Sequence, residues 1–194
     1  GEKRKNPEFR HVFFSDLLRL ALLKAYGGVW VDATVLFTGP IPAHLSEIDF
    51  FVFERTTKTK DKERWQRLNG DYFSWKEEHR IKFLSSIMFA RKENGTINNL
   101  LQLMLFFWKT QEHIPHYFFF QILFDELKTE GLIEEFETVD DTFPHLLFAE
   151  LKNPFDKDKL DHILAQCNQH KLTYVKDCLP SSFYAYLKEK YKHQ

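Results

Sequence analysis

The sequence predicts an α/β domain, a sheet flanked by helices with a helix-rich second half. Three observations carry that expectation. Three β-branched and aromatic runs, at 29–37, 50–54 and 82–90, read as strands. Apolar stripes at helical spacing occur near 17–25, 97–108, 120–127 and 160–167. A Gly27-Gly28 pair separates the first helix from the first strand. At 194 residues and 43% hydrophobic, with 21 phenylalanines, the chain fits one packed domain over residues 1–194.

The first helix is expected to start at Ser15, whose hydroxyl suits an N-cap, with Asp16 at the positive end of the helix dipole. Leu17, Leu18, Leu20, Ala21, Leu22 and Leu23 make it apolar on most sides. Asp16 and Arg19 lie three apart, so they share a face and need each other or a ligand as partner. Gly27 ends the helix in the left-handed conformation, and Gly28 keeps the turn free of a side chain.

Val29 to Phe37 then reads as one strand. Trp30, Asp32, Thr34 and Leu36 fall on one face, with Asp32 and Thr34 about 7 Å apart. Asp32 is either a carboxylate offered at a strand end to a ligand or an ordinary turn former. Phe50 to Glu54 is a second strand. The charged segment 55–80 reads as a flexible loop, either simply solvated or an acceptor-binding flap. Lys82 to Ala90 is a third strand, whose Ser85 and Ser86 either line a cleft or are satisfied locally.

Thr96 is expected to cap a helix with Ile97, Leu100, Leu101, Met104 and Trp108 inward. Pro115 and His116 open the next, with Phe120, Leu123, Phe124 and Leu127 inward and Gly131 past its end. A helix after Asn153-Pro154 carries Leu160, Ile163, Leu164 and Cys167, and a last helix near 183–187 ends in lysines.

Composition narrows the function. A net charge of −1 argues against a broad nucleic-acid footprint. No run approaches ~18 uncharged apolar residues, so no transmembrane segment is expected. Two cysteines without paired-ligand spacing and no signal-type apolar stretch point to the cytoplasm, with the lysine-rich end touching the inner membrane face as an option.

The segment Phe14–Arg19 through Tyr26-Gly27-Gly28-Val29-Trp30-Val31-Asp32-Ala33-Thr34 resembles the bacterial capsular polysaccharide synthesis proteins. The likeness continues through 83–90, 116–120 and 170–174. The resemblance implies a GT-A-type, Rossmann-like glycosyltransferase related to those with an Asp-X-Asp motif. Such an enzyme transfers a sugar from a nucleotide-sugar donor to a capsular or other surface polysaccharide. Carried over by position, Asp16, Arg19, Tyr26, Gly27, Gly28, Thr34 and Lys171 would serve the donor. Asp32 and His170 would hold a divalent cation, Mn²⁺ or Mg²⁺, and Asp32 and His116 would be catalytic. His116 also reads as a helix cap, and His170 and Lys171 as ordinary turn residues. Thr34 replaces the second acid of the wider motif, which puts strict metal dependence in doubt.

The resemblance also implies further strands ahead of the motif. The amino-terminal part of the fold is therefore expected to be missing, leaving a sheet edge open to self-association. The alternative to an enzyme is a non-catalytic binding or accessory module.

Overall fold

The computed structural model describes residues 7–111, 114, 116–133 and 136–192. The chain opens with α1 (Pro7–Tyr26), followed by β1 (Gly28–Val31), β2 (Val35–Phe37), β3 (Phe50–Glu54) and α2 (Lys62–Leu68). Then come β4 (Phe83–Ala90), α3 (Gly95–Thr110), α4 (Phe119–Thr129), α5 (Lys157–Gln166), β5 (Gln169–Lys171) and α6 (Phe183–Lys190). The class is mixed α/β.

The first helix starts two turns ahead of the sequence expectation. Ser15 is not its cap; the Ser15 hydroxyl donates back to the Val12 carbonyl at 2.7 Å, within the helix. Gly27 takes φ +68° and its N–H closes on Leu23 O at 2.8 Å, the left-handed helix stop the sequence signals. The expected strand 29–37 is two strands. Val35 N–H donates to Asp32 O at 2.9 Å, closing a turn that breaks the run at Asp32-Ala33-Thr34.

Those two strands enter different sheets. β1, β4 and β3 form an antiparallel sheet in the order β1-β4-β3, and β2 pairs antiparallel with β5. A Rossmann-like parallel ladder is not what these pairings build. Among the described residues, the parallel pairing outside the named strands is an isolated bridge, Phe53 to Val139. The reason lies in the connections. Parallel neighbours need a crossover back to the same sheet edge, whereas the 55–82 segment returns β4 directly alongside β3 in the opposite sense.

That segment is not the expected loop. It carries α2 and buries Trp65, Tyr72 and Phe73 at 3%, 7% and 1% exposure. Arg55 at its start is buried on Asp141 at 2.7 Å. The aromatic residues scattered among its charges supply the apolar area that anchors it.

Side chains alternate across β3. Phe50 and Val52 pack with Leu20, Leu23, Leu100 and Phe124 beneath α1, α3 and α4. Phe51 and Phe53 face Trp65, Phe73 and Ile87 on the other side. A third cluster, with Leu147, Leu160, Ile163 and Phe183, holds α5 and α6. Caps differ by a residue or two from expectation. Asn94, not Thr96, caps α3 by accepting from Ile97 N–H at 3.1 Å, and Asp156 and Ser182 cap α5 and α6. The helix-opening Pro115 lies outside the described residues.

One irregularity positions the site. The β3–β4 register shifts between Val52 and Phe53: Val52 faces Met88, but Phe53 faces Leu84. Residues 85–87 therefore have no counterpart on β3. The bulge reverses which way β4 side chains face and frees the carbonyls of Ser85 and Ser86 for other partners.

Candidate active site

The helix–glycine–strand unit dictates which residues meet. From Tyr26 back to Arg19 the helix runs about 10 Å, and from Gly28 forward to Asp32 the strand runs about 13 Å. Folding at the glycines lays these lengths side by side, so Arg19 arrives opposite Asp32. Arg19 Nη2 reaches Asp32 Oδ1 at 3.3 Å and Asp16 Oδ1 at 3.2 Å. Its Nη1 donates to the Ser85 carbonyl released by the bulge, at 2.6 Å. Trp30, two residues before Asp32 on the same strand face, donates its indole N–H to Asp32 Oδ1 at 2.8 Å. Asp32 N–H donates to Ser86 O at 2.9 Å.

Asp32 is thus locked through its backbone and one carboxylate oxygen, while its side chain stays 30% exposed. Arg19, at 3% exposure, spends its charge on Asp16, Asp32 and Ser85, flanked by the rings of Trp30 and Phe120 at 5.3 and 5.5 Å. Burial pushes the Asp16 carboxyl up to about 6; Arg19 pulls it down, and Asp32 adds to the rise.

These groups line a cleft of about 720 Å³. Lys171 on β5 also lines it, donating to Thr34 Oγ1 at 2.6 Å and to Leu172 O at 2.9 Å. Burial lowers the Lys171 pKa, and the charge of Asp32 raises it. Gln121 of α4 donates to Ser85 Oγ at 2.9 Å. Tyr72, Phe118 and His145 close the back. Tyr72 donates to Asp141 at 2.9 Å within the buried Arg55 pair, and the His145 Nδ1 lies 2.6 Å from the Asp141 carbonyl. Burial lowers the His145 pKa to about 4, so the ring is neutral and donates Nδ1–H to that carbonyl.

The expected site residues divide. Asp16, Arg19, Asp32 and Lys171 line the cleft together, and Ser85 and Ser86 join them. Thr34 sits beside it, held by Lys171. Tyr26, Gly27 and Gly28 do not line it; they form the far end of the helix–strand hairpin, with Tyr26 78% exposed. His170 is turned away. Alternation on β5 sends it opposite to Lys171, where it is fully buried and its Nε2 meets Thr38 Oγ1 at 3.0 Å. Burial lowers its pKa to about 4. His116 is exposed outside the cleft, and its Nδ1 accepts Phe118 N–H at 3.0 Å just before α4. That bond lies ahead of α4, whose N-cap residue is Phe118 with no side-chain cap.

Tyr72, Gln121 and His145 escaped the sequence reading because each is brought in from a distant segment. Trp30 was legible, since residues i and i+2 share a strand face. Among the described residues, no cluster of three or more His, Cys, Asp or Glu side chains is placed to hold a metal ion. No helix among them is long and apolar enough to cross a membrane.

The family described as capsular polysaccharide synthesis protein matches residues 1–189. No curated protein and no solved structure gives a match. The chain therefore belongs to the capsular polysaccharide synthesis protein family.

Proposed function

We propose that this capsule-biosynthesis protein is a glycosyltransferase, with the Asp32 cleft holding the diphosphate and sugar of a nucleotide-sugar donor. The carrying observation is the fixed Asp32 carboxylate. Oδ1 is held by Arg19 and Trp30, and among the described residues none is bonded to Oδ2, at the edge of a cleft that also presents Lys171. An acid and a base lining one cleft suit a ligand that brings both a phosphate and hydroxyl groups.

In this reading Lys171 gives up its bonds to Thr34 and Leu172 to meet the leaving diphosphate. Arg19 is a positioning residue, because its donors are already turned to protein acceptors. Asp16 balances the Arg19 charge. Ser85 and Gln121 present hydroxyl and amide groups to a sugar ring, with the ring of Tyr72 as part of the wall. The acceptor hydroxyl, supplied by a growing polysaccharide, attacks the anomeric carbon as the bond to the diphosphate oxygen breaks, and its proton leaves to the departing diphosphate or to water.

A divalent cation fits here only in company with the donor. Mg²⁺ is commonly held by one or two carboxylates plus phosphates and waters, and Asp32 offers one such carboxylate. The ion, Mg²⁺ or Mn²⁺, would neutralise charge on the leaving group. His170 is too far withdrawn to contribute. A cytoplasmic site, peripheral at the inner membrane face, goes with this reading.

A second reading, a donor-binding module without turnover, draws support from Thr34 and from the cleft lining, where among the described residues Asp32 is joined only by the buried acid Asp16. Calorimetry and donor hydrolysis with a panel of nucleotide-sugars separate the two. Binding and turnover, both lost in Asp32→Ala, support the enzyme. Binding without turnover supports the module, and no binding with any donor rejects both.

A further inference from the structure

A second cleft, of about 740 Å³, lies on the other side of the partition formed by residues 139–148. Neighbouring residues of this partition face opposite ways. Asp141 joins Arg55 and Tyr72 behind the first cleft, whereas Asp140 takes the hydroxyls of Thr56, Thr59 and Thr142 at the second. The tight turn at Phe143–His145 repeats the division, with His145 lining the first cleft and Phe143 the second.

The second cleft is built around a buried anion that organises cations. Glu150, at 2% exposure, receives Arg64 at 2.7 Å on one oxygen and Lys159 at 2.9 Å with Asn153 on the other. Its carboxylate is saturated, yet both cations remain nearly half exposed, at 44% and 48%. They are pre-oriented with donors to spare. Asp140 is likewise saturated, by the hydroxyls of Thr56 and Thr59, which tie the 56–59 loop to the partition, and by that of Thr142. On that loop Lys58 and Lys60 are exposed in the cleft lining next to the exposed Asp61, and among the described residues neither lysine forms a salt bridge. The apolar part of the lining includes Trp65, Val139, Leu146, Ile163 and the partly exposed ring of Phe143.

Anchored cations beside an aromatic face and an amide, Gln166, are the chemistry that holds a sugar ring bearing an acidic group. We propose that this second cleft binds an anionic saccharide, a sugar carrying carboxylate or phosphate. Lys58, Lys60, Arg64 and Lys159 meet the acid, and Phe143 packs on the ring. As the seat of the acceptor polymer the cleft rests on the transferase reading, because the partition would then pass the chain end to Asp32. As a binding site it stands without it.

The test titrates the full chain, without donor, with an oligomer of galacturonic acid and with a neutral maltose oligomer of equal length. The acidic oligomer is expected to bind and the neutral one to bind at least about tenfold more weakly. Lys58→Ala/Lys60→Ala, which removes no buried partner, is expected to weaken the acidic oligomer roughly tenfold with an unchanged melting temperature. Phe143→Ala is expected to weaken it about fivefold. Asp32→Ala should bind it as the wild type does, so a failure of donor chemistry leaves this result standing. Equal binding of the two oligomers, indifference to both variants, or displacement by tripolyphosphate at equal concentration overturns the proposal. A sugar phosphate that competes while tripolyphosphate does not assigns the acid to phosphate.

Discussion

Arg19 and Asp32 meet at 3.3 Å because the helix and the strand that carry them fold back on each other at Gly27-Gly28. Arg19 also serves Asp16 and the Ser85 carbonyl, so one buried guanidinium joins α1, the β1 end and the β4 bulge. Removing it leaves Asp16 buried without a counter-charge. Arg19→Ala is expected to cost about 3–5 kcal/mol in denaturant unfolding. Arg19→Lys keeps the charge but not the fork, and should lose less stability while still weakening donor binding. Equal stability of Arg19→Ala and wild type would remove Arg19 as the organiser of the site.

Trp30 bears on Asp32 through a single bond, its indole N–H at 2.8 Å. Trp30→Phe keeps an aromatic ring and deletes that donor. About 1 kcal/mol of positioning is lost, which corresponds to a roughly fivefold change in donor affinity. The melting temperature should barely move. Isothermal titration of wild type and variant with the same nucleotide-sugar measures it.

With one exposed carboxylate at the cleft and His170 withdrawn, the protein alone offers a cation little. Titration of Mg²⁺ or Mn²⁺ into the free chain is expected to give no saturable heat. The same ion added with a nucleoside diphosphate should give binding that Asp32→Ala abolishes. Micromolar binding of the ion alone would contradict this description of the site.

The pH dependence of stability contains opposing parts. Burial holds His145 and His170 at about 4, against an ordinary value of 6.5. Between those values the unfolded chain binds more protons, so their contribution is complete above pH 6.5 and is lost as pH falls toward 4. Each is on the order of 2–3 kcal/mol. Asp16, raised to about 6, acts oppositely and loses its contribution as pH rises from about 4 to 6. His170→Gln removes one histidine from the balance. Its unfolding free energy should fall less steeply than that of wild type between pH 6.5 and 4. Parallel curves would show that His170 protonates equally in both states.

The two glycines of the hairpin should differ under substitution. A Cβ on Gly27 would sit 2.6 Å from the Lys92 backbone nitrogen at φ +68°. Gly27→Ala is expected to cost roughly 2–3 kcal/mol, or about 5–10 °C in melting temperature. Gly28, at φ +96°, has nothing within 4 Å of that position, so Gly28→Ala bears only the conformational penalty, about 1–2 kcal/mol. Thermal unfolding of both variants decides between them.

The local signals were readable because their causes are local. The glycine stop, the Asp16–Arg19 spacing, the apolar runs of β3 and β4 and the stripes of α3 to α5 follow from neighbours within a few residues. The same signals misled where two neighbouring preferences competed. Ser15 is a good cap but equally a tolerable interior residue, and an apolar helix longer than its caps suggest continued through it. Val29 to Phe37 has strand propensity throughout, yet the turn at Asp32 sends its halves to different sheets.

From the amino-acid order alone came the α/β class, the helix–glycine–strand unit, the family and the grouping of Asp16, Arg19 and Asp32. These depend on spacing along one chain segment. The folded structure alone decided the rest. It set the β4 bulge that hands Ser85 to Arg19 across 66 residues, the contact of Lys171 with Thr34 across 137, and the partition that places His145 and Phe143 in separate clefts. Register and burial are properties of the packed whole: each contact of that kind is bought with chain entropy by many residues at once, and no short window of sequence contains the balance.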